Sequence, residues 1–147
     1  MKNTWLYVLC VIFVCVGAIF GCNTKPSAYV IEYYENGDGG NKSPKIVHYY
    51  VGSDSLNYKE VQYYEDGVKK MEGNYVNNER EGEFTAWHRN GNIWSNGNYV
   101  KGKAEGMRRV YYENGKIFIE GEYMHDKRVG EWAFYDTLGV LIKTISY

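Results

Sequence analysis

From residue 61 onward, short apolar and aromatic runs alternate with polar, glycine-bearing breaks, and the pattern returns every 24 residues. Gly67, Gly91, Gly115 and Gly139 keep that step, as do Tyr75, Tyr99, Tyr123 and Tyr147. Gly73, Gly97 and Gly121 follow it, and so do Gly82, Gly106 and Gly130. Several phases of one period held by one residue type define a repeat array, in which each unit must stack on its neighbours to bury an apolar face.

Each unit reads as two strands. Asp66 with Gly67, Asn90 with Gly91 and Asn114 with Gly115 lie between apolar runs, and such pairs predict two-residue hairpin turns because both residues tolerate positive φ. Leu138 and Gly139 keep only the glycine, which leaves the type of that turn open. The second connection of each unit is polar and is expected to end at Gly82, Gly106 or Gly130. Strict alternation places Ile117, Ile119, Gly121 and Tyr123 on one face, with Ile93, Gly97 and Tyr99 at equivalent places. Lys116, Phe118, Glu120 and Glu122 then fall on the other, more polar face, together with Trp94. Glycine inside a strand marks close approach, so Gly73, Gly97 and Gly121 are expected to receive rings from the preceding strand, drawn from Phe84, Trp87, Tyr111, Trp132 or Tyr135.

The fold class expected is therefore all-β, a repeat array of antiparallel hairpins forming one extended meander sheet behind an amino-terminal hydrophobic signal helix. Its parts are a signal or anchor at 1–22, a tether at 23–27, a degenerate amino-terminal repeat at 28–60, and regular units at 61–84, 85–108 and 109–132 with a partial one at 133–147. The first unit keeps the word Tyr33, Tyr34, Glu35, Asn36, Gly37 that returns at Tyr63 and Tyr111, but its loops are longer.

The amino terminus is a positive residue, Lys2, then an apolar run over residues 5–20, then Gly21 and Cys22. That order is the pattern of an export signal, and about 16 apolar residues fall short of a comfortable bilayer span. All three cysteines, Cys10, Cys15 and Cys22, lie in this segment, so the remaining chain holds no disulfide and no thiol chemistry. Ile19, Phe20, Gly21 and Cys22 resemble the lipobox of bacterial lipoproteins, with Cys22 as the lipidated residue. The resemblance implies a membrane-anchored lipoprotein of the cell envelope, with Asn23 favouring the outer membrane where the host has one. A signal kept uncleaved as a simple anchor is the alternative.

The unit Tyr111, Tyr112, Glu113, Asn114, Gly115, then Gly121, Glu122, Tyr123, then Gly130, Glu131, Trp132 is similar to the bacterial variant of the MORN repeat. That resemblance implies a protein-interaction or membrane-associated platform, and many bacterial members are catalogued as antitoxin components of toxin-antitoxin systems. Arg108 departs from it by standing where Phe84 and Trp132 stand, which leaves either an open ring slot or Met107 in the packing role.

Charge and composition narrow the function. Lys plus Arg is 17 against 18 for Asp plus Glu, without the basic stripe of a nucleic-acid binder. His48, His88 and His125 fall at unrelated phases and read as surface or turn residues, and no serine sits in a nucleophile elbow. Gly37, Asp38, Gly39 and Gly40 lack the helix and lysine of a phosphate loop. No catalytic, cofactor or metal site is expected. With 16 Tyr, 4 Trp and 5 Phe, the aromatic rows are the candidate surface, and Trp94, Phe118, Trp87, Arg108, Tyr111 and Tyr135 are its candidate residues. The expected activity is binding of another protein, with a phospholipid or glycan ligand as the alternative and a partner toxin as a further one.

Overall fold

The computed structural model describes residues 27–34, 43–50, 53 and 55–147. The signal helix, Cys22, most of the tether and the loop at 37–40 lie outside these residues. Ten strands run in chain order: β1 (Ser27–Tyr33), β2 (Pro44–Tyr50), β3 (Tyr58–Tyr63), β4 (Lys69–Val76), β5 (Glu79–Trp87), β6 (Ile93–Val100), β7 (Lys103–Tyr111), β8 (Ile117–Met124), β9 (Lys127–Tyr135) and β10 (Leu141–Ser146). Each pairs antiparallel with its sequence neighbours in one open sheet, and the described residues contain no helix. The expected all-β meander is what forms.

The two kinds of turn are the reverse of the sequence expectation. At the glycine phase, Tyr64 N–H donates to the Val68 carbonyl while Gly67 N–H donates back to Tyr64, so the loop has three residues and only Gly67 is at positive φ. This is a type I turn closed by a glycine bulge. The Asp66 side chain serves by accepting from Val68 N–H, as Asn90 does from Asn92 and Asn114 from Lys116. Leu138 and Gly139 keep the same turn, with Asp136 Oδ1 accepting from Leu138 and Val140. The two-residue turns with both residues at positive φ fall instead at Asn77 and Asn78, Lys101 and Gly102, and His125 and Asp126. Gly82, Gly106 and Gly130 do not end those reversals. They sit inside β5, β7 and β9 at φ 75°, 74° and 64°, where each strand carries two extra residues against its partner.

A single sheet has no second layer to pack against, so most of the core forms within the aromatic face, where Trp132 is 2% exposed, while Val47 and Val61 are buried on the other face. Gly73 and Gly121 receive rings, but from the strand that follows. A Cβ on Gly73 would collide with the Phe84 ring of β5, and one on Gly121 with the Trp132 indole of β9. The other three expected ring donors, Trp87, Tyr111 and Tyr135, do not occupy these seats. Over Gly97 the seat holds Arg108, whose Cγ would lie 3.4 Å from an added Cβ. Arg108 therefore fills its slot with its own aliphatic stem and donates from Nη1 to the Tyr99 hydroxyl at 3.2 Å, while Met107 stays half-exposed at 49%. In β10 the glycine phase is taken by Ile145, which pairs with Trp132.

The tyrosines one turn further along are stacked into this face. Tyr75 lies flat on Tyr58 at 4.9 Å and meets Phe84 edge-on, Phe84 meets Tyr99, and Trp132 lies between Tyr123 and Tyr147. Arg80 spans Phe84 and Tyr99, and Arg128 spans Trp132 and Tyr147. At the same phase the middle unit has Ala104, and the Arg108 guanidinium reaches Tyr99, which Arg80 also contacts.

Units are also tied along both ends of the strands. Hydroxyls of Tyr34, Tyr64 and Tyr112 each donate at 2.9 Å to the carbonyl of Tyr63, Trp87 and Tyr135 in the next unit. His88 Nε2 makes the same bond to Tyr111 at 2.9 Å, which places His88 in phase with Tyr64 and Tyr112. At the opposite ends, the amides of Asn77, Lys101 and His125 donate to the side chains of Asn57, Glu81 and Glu105, about twenty residues earlier in the chain. His125 is thus a turn residue, as expected. His48 is neither surface nor turn: its Nε2 lies 2.8 Å from Glu60 Oε2, and it stacks on Tyr58 at 4.1 Å.

On the polar face of β3 and β4, Lys59 and Lys69 both reach Glu72, at 3.2 and 2.8 Å. Burial works to raise the Glu72 pKa, but the bonds from Lys69 and Lys59 outweigh it and hold the carboxyl below its ordinary value.

Two predictions follow from this packing. Gly73→Ala and Gly121→Ala each displace a ring and are expected to cost roughly 1–3 kcal/mol, whereas Gly97→Ala, facing a flexible arginine stem, is expected to cost under about 1 kcal/mol, all by urea titration. Glu72 stabilises the fold above the ordinary carboxylate pKa, and that contribution is lost as pH falls through its lowered folded value. Melting temperature followed downward from neutral pH is therefore expected to fall less steeply in Glu72→Gln than in the parent.

Candidate interaction surface

The register of each hairpin slips by one residue near its three-residue turn, and the slip recurs at every unit. Gln62 pairs with Met71 but Tyr63 with Lys69, leaving Lys70 extra. Ala86 pairs with Ser95 but Trp87 with Ile93, leaving Trp94 extra. Val110 pairs with Ile119 but Tyr111 with Ile117, leaving Phe118 extra. Phe134 pairs with Lys143 and Tyr135 with Leu141, leaving Ile142 extra. One extra residue in one strand is a β-bulge, which re-aims a side chain without breaking the sheet.

The bulge overturns the facing expected from strict alternation. Residues directly opposite in an antiparallel pair share a face, so Ile93 and Ile117 lie with Trp87 and Tyr111 on the polar face rather than with Ile119. Trp94 and Phe118 leave that face. Trp94 lines a hollow of about 220 Å³ with Phe84, Gly97, Tyr99 and Arg108, and lies 6.5 Å from His88. Phe118 rests against Tyr112 at 5.0 Å, as Lys70 lies over the Tyr64 ring at 5.8 Å.

Exposure distinguishes these positions from the packed rings. Trp94 is 49% exposed, Phe118 41% and Ile142 62%, whereas Phe84 and Trp132 are buried. The outcome is a row, Lys70, Trp94, Phe118 and Ile142, on alternate strands β4, β6, β8 and β10. Alternate strands lie about 10 Å apart, so the row presents evenly spaced apolar side chains with a cation at one end.

The six residues singled out from sequence thus divide. Trp94 and Arg108 share one hollow, and Phe118 continues from Trp94 along the row. Trp87, Tyr111 and Tyr135 are on the opposite face: Trp87 lies under Lys69 at 5.0 Å, and the Tyr135 hydroxyl donates to Glu120 at 2.9 Å, which raises the Tyr135 pKa. Tyr111 gives its carbonyl to His88. Lys70 and Ile142 went unnoticed in the sequence, although a 24-residue step from Trp94 and Phe118 lands on both.

Among the described residues no group of three or more His, Cys, Asp and Glu side chains is placed to hold a metal. His48 and Glu60 form a close pair, with Tyr50 and Tyr58 against the imidazole.

Comparison with curated proteins gave no match, and comparison with solved structures gave none. What the chain is similar to is the MORN repeat variant, whose family model matches it three times in succession, over residues 57–77, 80–101 and 104–125.

Proposed function

We propose that this protein is a non-enzymatic docking platform for another protein, held at the cell envelope by lipid on Cys22. The observation that carries the docking reading is the bulge row, which leaves Trp94, Phe118 and Ile142 exposed beside the buried Phe84 and Trp132. The three matches to a repeat family of non-catalytic modules support the same reading. Large rings on a rigid support are the residue type that anchors protein interfaces, because they bury much area at little entropic cost.

The spacing suggests what kind of partner fits. Alternate strands are about 9.6 Å apart, and seven residues of α-helix rise about 10.5 Å. An amphipathic helix laid across the strands, with apolar residues at i, i+7 and i+14, meets Trp94, Phe118 and Ile142 in turn. An acidic residue at the near end of that helix meets Lys70. The rigidity of the surface comes from neighbouring-unit bonds such as Tyr64 to Trp87 and Tyr112 to Tyr135.

The anchor is supported by Ile19, Phe20, Gly21 and Cys22 following an apolar run, and by the absence of any cysteine after Cys22. Several acyl chains at one residue hold a protein far more firmly than one.

Two experiments test the proposal. Crosslinking in the native host is expected to capture a reproducible partner, and Trp94→Ser with Phe118→Ser to weaken its binding by about thirtyfold, roughly 2 kcal/mol, with an unchanged melting temperature. Partner capture that ignores this double substitution discards the row. Incorporation of labelled fatty acid is expected in the parent and absent in Cys22→Ala; equal labelling of both discards the anchor.

A further inference from the structure

A repeat array carries its own internal comparison. Positions that keep one residue type in every unit hold the sheet together, whereas positions where one unit departs from its siblings are released from that duty. Around the first hairpin of the regular array, three residues on one face differ from every counterpart one, two and three steps of 24 onward. Lys59 replaces Glu83, Met107 and Glu131; Val61 replaces Thr85, Arg109 and Ala133; Lys69 replaces Ile93, Ile117 and Leu141.

All three line the same open hollow, about 590 Å³, whose other walls are Tyr49, Asn57, Tyr58, Tyr63, Glu72, Asn74 and Tyr75. That volume lies in the range of small-molecule sites. Its floor is apolar, with Val61 4% exposed, and Tyr49 and Tyr63 present half-buried rings. The rim is polar. Glu72 accepts from both Lys59 and Lys69, so among the residues lining this hollow one carboxylate faces two ammonium groups, with Glu83 beside Lys59 in the adjoining one. The Tyr63 phenol is pushed up to about 12 by burial and by its bond to Tyr49, so it remains a neutral donor across the physiological range.

From these residues we infer that the hollow binds a single acidic sugar, a pyranose bearing one carboxylate. The apolar C–H face of the ring packs on Tyr49, Tyr63 and Val61. Asn74 and Glu72 meet hydroxyls, since an amide offers both donors and an acceptor and a carboxylate accepts from O–H. The sugar carboxylate takes the ammonium capacity of Lys59 and Lys69 that Glu72 leaves over, in charge-assisted bonds. A neutral sugar leaves that ammonium capacity unanswered, and a simple anion leaves the rings uncovered. The site is independent of the docking row, which lies on other strand positions and the opposite face.

The sibling units supply the test, because they show which residues the sheet accepts at these places. Lys59→Met and Lys69→Ile copy Met107 and Ile117 and are expected to fold as the parent does. The full chain is titrated with D-glucuronate, D-glucose and acetate, and followed by amide NMR shifts. Glucuronate is expected to bind saturably with shifts confined to β2, β3 and β4, and glucose and acetate each at least about tenfold more weakly. Each substitution is expected to weaken glucuronate about tenfold, while Trp94→Ser leaves it unchanged. The inference is overturned by absent saturation with glucuronate, by affinity indifferent to both lysine substitutions, or by acetate or glucose binding as tightly as glucuronate.

Discussion

Everything in this sheet depends on a strand leaving room for a ring that arrives from the next one. With no second layer, a ten-stranded sheet can exclude water only by laying large side chains flat across its own surface, and a neighbouring Cβ would stand in their way. Gly73 under Phe84 and Gly121 under Trp132 remove that Cβ. Each ring then lies between two tyrosines of the same face, so that the rings make a continuous layer one side chain thick. Apolar burial of this kind is worth on the order of 25 cal/mol per Å², and here it is obtained without any facing element.

The middle unit shows that the requirement is for volume and contact rather than aromaticity. Arg108 fills the seat over Gly97 with methylenes and sends its charge to Tyr99. The position that holds Arg80 and Arg128 in the flanking units shrinks to Ala104.

Much of this was legible in the sequence, because a fixed 24-residue step and glycine inside strands have few physical causes. The two strands of each regular unit, the antiparallel meander and the glycine seats follow from them. What misled was counting. Asn-Gly suits a two-residue hairpin, yet it equally suits a three-residue loop in which only Gly67 or Gly91 needs positive φ, and the asparagine acts through its side chain. Alternation by twos fails wherever one residue is extra, so a single bulge moved Trp94 and Phe118 to the face opposite the one expected and took Ile93 and Ile117 the other way. The His48–Glu60 contact was hidden for a different reason: β2 precedes the regular period, so no step of 24 points to it.

Ile145 gives the array a direction of growth. At the phase where β4, β6 and β8 keep a glycine, β10 carries a branched side chain that already occupies the seat beside Trp132. A duplicated unit inserted among β4 to β9 would find a vacant seat below it and offer one above, so lengthening by internal duplication costs nothing in packing. The same unit appended after β10 would bring its ring down on Ile145. A duplicated unit is therefore accommodated more readily among β4 to β9 than against β10, where Ile145→Gly would supply the missing seat.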